Sequence, residues 1–330
     1  LAVKPKLLQI LSMYHEAGEA ILAEGADVVR TDRYDEDHLC EIARDVEAIV
    51  LRAPARITRA VIDAAPSLRV ISGAGVGLDN IDVRYATEKS IPVLHAPSVN
   101  AVSTAEHAVA IIMALGKSLI PFHRQMSRGR YASRTELKTY ELSGKRVGLI
   151  GFGNIAKEVA KRVKLGLNMN VSVWVRQFDP VKHAEAEEWG FDITTNMDRV
   201  FAESDFVSLH TPLTDATKGM IDRRLLDLMK PSAFLVNTAR GGIVNQADLF
   251  RALTDGSIAG AGLDVFEPEP PAADSPLLSL PNVIVTPHVG GTTVETNYTT
   301  ATTVARNVLR ALAGERPEHV GNPSVYGKSV

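Results

Sequence analysis

The stretch that constrains this chain most runs from Lys145 to Lys164. Arg146-Val147-Gly148-Leu149-Ile150 is a short, mostly apolar run, the composition of a parallel strand covered on both faces. Gly151-Phe152-Gly153-Asn154-Ile155-Ala156 follows directly, and Ile155, Val159 and Val163 then recur at helical spacing. Strand, glycine turn and helix in that order give G-x-G-x-x-A a meaning that a lone glycine triplet lacks. Gly151 permits the tight turn, Gly153 lets a pyrophosphate approach the backbone, and the small Ala156 lets the helix seat closely on the strand. Free N–H groups at the positive end of the helix dipole would then receive the phosphates. The segment predicts a dinucleotide-binding βαβ unit.

Apolar runs alternate with helical patterns on both sides of it. Residues 7–13, 28–29, 48–51, 70–72 and 93–94 read as strands, separated by pieces such as 16–22 and 36–44 that read as helices, and this unit ends near Asn100. After the glycine turn, residues 171–175, 206–209, 234–236, 261–265 and 283–286 continue the strand pattern, which makes six strands. Helices are expected over 222–229 and over 246–253, the latter capped by Asn245. Residues 103–128 form a helix-compatible connection in which Pro121 predicts a kink or break. The last helical pattern, 293–313, places Val294, Tyr298, Ala301, Val304 and Val308 on one face and leads back to the first unit. The expected fold is α/β, with two Rossmann-like or flavodoxin-like parallel-sheet domains and a cleft between them for ligand. One domain takes 1–100 plus about 294–330, and the dinucleotide domain takes about 101–293.

Composition removes several other classes. With 330 residues and 45% hydrophobic content, the chain is long enough for two cores. A net charge of −3 and no dense Lys/Arg stripe argue against nucleic acid as a partner. The longest apolar run, 108–115, is far short of the ~20 residues that span a bilayer. No signal pattern opens the chain, so a cytoplasmic protein with no membrane partner is expected. The one cysteine, Cys40, excludes an internal disulfide framework or a cysteine-based zinc site, reads as a plain helix position, and no metal is expected.

Four blocks carry a resemblance across nearly the whole chain. They are Gly73-Ala74-Gly75-Val76-Gly77-Leu78-Asp79-Asn80-Ile81-Asp82; the glycine turn; His210-Thr211-Pro212-Leu213-Thr214 with Asn237-Thr238-Ala239-Arg240-Gly241-Gly242; and Asp264 through Pro271 with Pro287-His288-Val289-Gly290-Gly291. In this order the chain resembles the D-isomer-specific 2-hydroxyacid dehydrogenase family. The resemblance implies reduction of a 2-keto acid to a D-2-hydroxy acid, or the reverse, with NAD or NADP. Such a reaction needs a hydride at the carbonyl carbon and a proton for its oxygen. By resemblance, His288 is the proton donor, Glu269 the carboxylate that orients it and favours its protonated form, and Arg240 the fork that holds substrate. Glu269 rather than Glu267 stands at the family's spacing from Arg240. The first block is similar to the family's substrate loop, where Val76 and Gly77 would offer backbone N–H groups to a carboxylate. Arg52 lies where phosphoglycerate dehydrogenases of the family carry a substrate-contacting arginine, although Ala53 replaces the usual serine; a solvated charge at a strand end is the competing reading. Thr104, Asn154, Ile155, His210, Thr211, Pro212, Thr217, Thr238, Asp264 and Gly290 fall at family cofactor positions. Asp264 would meet the nicotinamide amide, or else simply cap the turn after its strand. A homodimer is implied, paired through the 103–128 region.

The chain departs from the family's NAD pattern in one place. Its second dinucleotide-domain strand ends Val173-Trp174-Val175-Arg176-Gln177, with no acid to bind ribose hydroxyls, and Asp179 lies further into the loop. Arg176 could pair with a 2′-phosphate, so NADP is favoured over NAD, although an arginine covering the adenine face would look the same. The substrate is expected to be of the hydroxypyruvate/glyoxylate or the 3-phosphoglycerate type. A formate dehydrogenase reading is disfavoured because such relatives carry Gln where Glu269 stands. The remaining alternative is a corepressor-like protein that senses nicotinamide nucleotides.

Overall fold

The computed structural model describes residues 3–327. The chain forms two units, Leu1–Asn100 with Thr292–Val330, and Ala101–Gly291. In the first, β1 (Lys6–Ile10), α1 (Glu16–Gly25), β2 (Asp27–Thr31), α2 (Glu36–Ile42), β3 (Ala48–Leu51), α3 (Arg59–Ala64), β4 (Val70–Gly73), α4 (Val83–Glu88) and β5 (Val93–Leu94) alternate. The strands are parallel in the order β2-β1-β3-β4-β5. Period-two alternation sends Leu8 and Ile10 into one core and Leu7 into another, so both sheet faces are covered. β1 stops short of the expected 13 because Leu11 turns to a left-handed φ of 66°.

The second unit opens with α5 (Ala101–Gly116) and α6 (Leu119–Met126), then runs β6 (Arg146–Ile150), α7 (Asn154–Leu167), β7 (Asn170–Trp174), α8 (Pro180–Glu188), β8 (Asp192–Thr194), α9 (Met197–Glu203), β9 (Phe206–Leu209), α10 (Arg223–Leu228), β10 (Phe234–Asn237), α11 (Gln246–Thr254), β11 (Gly260–Leu263) and β12 (Val283–Val285). Its sheet order is β12-β11-β10-β9-β6-β7-β8, again parallel. That is seven strands where six were expected. The missed one, β8, is a three-residue edge strand whose side chains are all half-buried, so no apolar run marks it. The break in the connecting helix also precedes Pro121: Ser118 takes φ 49° and the proline sits in the first turn of α6, where its missing N–H is harmless. α5 and α6 meet at 61°, and no single helix among the described residues is long and apolar enough to cross a membrane.

α12 (Val294–Leu312), capped by Thr293, returns to the first unit and packs on α1 and β4. Ala301, Val304 and Val308 are buried as expected, but Val294 and Tyr298 are exposed, because the first turns of the helix bury Thr296 and Thr300 instead. Cys40 is a free thiol on α2 whose pKa burial pushes up.

Candidate active site

Open parallel sheets place ligands beyond the carboxyl ends of their strands, where the strand order reverses. In the second unit the reversal lies between β6 and β9. Gly151 leaves β6 with φ 109°, and a Cβ there would sit 2.6 Å from the His210 carbonyl oxygen at the end of β9. Only glycine fits. Gly153 differs: it is the N-cap of α7 with no side-chain cap, and a Cβ on it would meet no atom within 4 Å. Asn154 and Ile155 open α7, whose N-terminus receives no side-chain cap from Gly153.

Some side chains of this unit are buried yet incompletely bonded. The hydroxyls of Thr104 on α5, Thr211 after β9 and Thr238 after β10 are buried without a hydrogen-bond partner. Such groups are uncommon, and each calls for a partner that the chain does not itself supply. A dinucleotide with hydroxyl and phosphate oxygens fits this set. Thr217 behaves otherwise: its hydroxyl donates to the Pro212 carbonyl at 2.7 Å and accepts from the Thr214 amide at 2.8 Å, so it shapes the 212–217 loop. His210 lies 2.9 Å from the Ser208 hydroxyl, and burial pushes its imidazole down to about 4, so it is neutral at neutral pH.

Asp264, at the end of β11, gathers the segment from Thr286 to Gly290. One carboxylate oxygen accepts from the Thr286 hydroxyl at 2.6 Å and the Val289 amide at 2.9 Å; the other accepts from the Gly290 amide at 2.9 Å. His107, from α5, approaches the Thr286 hydroxyl at 3.0 Å and the carboxylate at 3.5 Å. Burial alone would raise the pKa of Asp264, but the bonds from His107, Thr286, Val289 and Gly290 outweigh it and hold the carboxyl below its usual range. The carboxylate thus caps the segment that follows β12, not the turn after its own strand.

The same turn carries His288, whose left-handed φ of 55° is held by its amide bond to the Asp264 carbonyl at 2.8 Å. Its Nδ1 meets Glu269 Oε2 at 2.8 Å, while the ring stays 47% exposed. The second oxygen of Glu269 accepts from the Phe266 amide at 2.9 Å. Burial opposes ionisation of Glu269, yet His288, the Phe266 amide and the charge of Arg240 together lower its pKa. Arg240 follows β10 in a loop fixed by Asn237, whose side chain donates to the Arg240 carbonyl and accepts from the Ala239 amide. The next residue brings the two loops together: a Cβ on Gly241 would lie 2.0 Å from backbone atoms of Phe266. One unit therefore assembles an arginine, a carboxylate and a histidine.

The remaining residues flank other strand ends. Arg176 lies just after β7, exposed and without an ion pair or hydrogen bond among the described residues. Asp179 instead caps α8, accepting from the Val181 and Lys182 amides. In the first unit the strand order reverses between β1 and β3, and Arg52 stands there: its Nε donates to the Ser12 carbonyl at 2.9 Å and its guanidinium lies over Tyr14. Val76 and Gly77 follow β4 in a loop, and their amides donate to no acceptor among the described residues. Asn237, His107, Thr286 and Ser208 were missed by sequence reasoning. Only the spacing of Thr104 and His107, three apart on one helix, offered a signal.

A doubly wound parallel sheet with a glycine turn at its switch point defines a dinucleotide-binding α/β protein. Residues 109–290 match the model of the D-isomer specific 2-hydroxyacid dehydrogenase NAD binding domain, and the chain belongs to that family. A D-3-phosphoglycerate dehydrogenase of Methanocaldococcus jannaschii is 40% identical over 309 residues, which are 93% of this chain but 58% of that protein. A glyoxylate reductase of Pyrococcus furiosus is 38% identical over 333 residues, covering 98% of this chain and 97% of that one. Among solved structures, an NADPH-dependent glyoxylate/hydroxypyruvate reductase of Sinorhizobium meliloti, in complex with NADP and malonate, superimposes with a TM-score of 0.87 at 27% identity and covers 99% of each chain.

Proposed function

We propose that this chain reduces a small 2-keto acid of the glyoxylate/hydroxypyruvate type to its D-2-hydroxy acid with NADPH. The observation that carries the reading is the His288–Glu269 contact at 2.8 Å in the same unit as Arg240. Nicotinamide cofactor, when bound, supplies the hydride. The chain's residues do the rest. Because Glu269 engages Nδ1, His288 gives its proton from Nε2, and the ionised carboxylate stabilises the imidazolium until then. Arg240 binds the keto-acid oxygens, and the Val76 and Gly77 amides take the carboxylate. Gly153, the start of α7 and the hydroxyls of Thr104, Thr211 and Thr238 hold the cofactor, which Asp264 and Gly290 flank.

NADPH is preferred in this reading because Arg176 stands free at the end of β7 while Asp179 is engaged in a helix cap. The S. meliloti reductase, whose structure holds NADP, is of the same kind. A phosphorylated substrate is the second reading, favoured by Arg52: its Nε is anchored, and its two remaining nitrogens have no acceptor among the described residues. The corepressor alternative draws no support from the relatives. Initial rates with glyoxylate, hydroxypyruvate and 3-phosphohydroxypyruvate, each with NADH and NADPH, test both readings. Fast turnover confined to the phosphorylated acid would replace the first with the second, and turnover of none would reject both.

A homodimer belongs to the same proposal. Val102, Met113, Leu119 and Met126, on α5 and α6, are exposed apolar side chains in the region expected at the contact. Light scattering should give a mass near twice 35.6 kDa, and a value at 35.6 kDa itself would remove the dimer.

A further inference from the structure

The amides of Val76 and Gly77 can bind a carboxylate only if both point the same way, and the structure contains the device that turns them. The Gly75 carbonyl accepts from the Ala96 amide at 2.8 Å. The Val76 carbonyl accepts from His95 Nδ1 at 2.9 Å. A carbonyl cannot donate, so Nδ1 of His95 carries the hydrogen. Both peptide bonds are trans, and in a trans peptide the N–H points opposite to the C=O. The carbonyl of Gly75 shares its peptide with the Val76 amide, and the carbonyl of Val76 shares its peptide with the Gly77 amide. Neighbouring residues 95 and 96 thus hold both oxygens on one side, and the two N–H groups face away from them together.

The holding segment is itself fixed. Val93 of β5 donates to the Asn322 side chain at 2.7 Å and accepts from the Gly321 amide at 2.7 Å, and Leu94 bridges to Val320. His95 therefore extends from a short strand paired with β4 on one side and with the 320–322 segment on the other. An anion nest built from successive amides depends on such pre-alignment, since water would otherwise compete for each N–H separately.

We propose that His95 is a positioning residue that pre-aligns the Val76 and Gly77 amides for the substrate carboxylate. This rests on the keto-acid reading above, but its test does not require turnover. Oxalate, a carboxylate that cannot be reduced at a keto group, is titrated calorimetrically into the wild type, His95→Ala and His95→Asn; asparagine can place an amide nitrogen where Nδ1 stands. We expect His95→Ala to weaken oxalate about tenfold, and His95→Asn to recover all but about threefold of it. NADPH affinity and thermal midpoint should stay at wild-type values. The keto-acid KM should rise in step with the oxalate Kd while kcat changes less than about twofold. In the wild type, oxalate should shift the Val76 and Gly77 amide resonances. The proposal is overturned if the wild type does not bind oxalate, if His95→Ala leaves the affinity unchanged, or if His95→Asn is as weak as His95→Ala. Equal losses of NADPH binding and thermal stability would also overturn it, since His95 would then only support the fold. Oxalate binding that depends on His95 in a protein that reduces no keto acid would sink the enzymatic reading and leave the nest standing; turnover with oxalate binding indifferent to His95 would do the reverse.

Discussion

Acidifying the protein should expose the neutral state of His210. Burial takes this imidazole from its ordinary 6.5 to about 4, so between those values the unfolded chain binds a proton that the folded chain refuses. A depressed value means that the folded state keeps its full stability above 6.5 and loses it as pH falls towards about 4. At about 1.4 kcal/mol per pH unit, that interval sets a ceiling of about 3 kcal/mol. Part of the residue remains accessible, so roughly half, about 1.5 kcal/mol, is expected. His210→Gln keeps an amide nitrogen near the Ser208 hydroxyl and removes the titration. Both tryptophans, Trp174 and Trp189, lie in the unit that contains His210, so their fluorescence follows its unfolding. Urea titrations of both proteins between about pH 7.5 and about pH 4.5 should show the wild type losing more stability than His210→Gln by that amount. Parallel pH dependences would refute the argument that burial keeps His210 neutral.

The two glycines of the turn should separate stability from binding. Gly151→Ala, facing the His210 carbonyl at a left-handed φ, should cost about 2–4 kcal/mol in denaturant titrations, whereas Gly153→Ala should change stability by less than about 0.5 kcal/mol. The same Gly153→Ala should weaken NADPH about tenfold or more by fluorescence titration, and unchanged affinity would remove the phosphate contact. Arg176→Ala should raise the KM for NADPH about tenfold and leave that for NADH within about twofold; equal effects on both would assign the arginine to the adenine face instead. Glu269→Gln should lower kcat about tenfold to a hundredfold with little change in NADPH binding. His107→Ala should lower kcat about threefold to tenfold, because the Thr286–Gly290 turn loses one of its anchors, and should be detectable by faster hydrogen exchange at the Val289 and Gly290 amides.

What the sequence revealed follows from the range of each interaction. Buried strands such as β6 and β9 announce themselves through short, mostly apolar runs, and the glycine turn through its order of strand, turn and helix. β8 does not, because a half-buried edge strand of three residues needs no apolar pattern. The helix break falls at Ser118 rather than Pro121, since a proline in a first turn is compatible with helix. In the site, His288, Glu269 and Arg240 could be singled out by motif, but Asn237 and His107 could not. The Asn237 side chain bonds the loop that follows its own strand, a contact that no motif marks, while the role of His107 arises from a contact across the fold, with a threonine 179 positions away. His95 was invisible for the same reason, its target being a carbonyl on the neighbouring strand's loop.

Anyone re-engineering this chain for a different acid would meet the Gly241–Phe266 crossing early. Two stretches far apart in sequence lie so close there that neither can be exchanged alone: a loop grafted after β11 must arrive with a backbone that still accepts Gly241, and any residue other than glycine at 241 would push Phe266 aside. Arg240 and Glu269 flank that crossing, so they behave as one transplantable cassette. Libraries that vary the 240–242 and 264–269 segments together should retain folded members more often than libraries that vary either one alone.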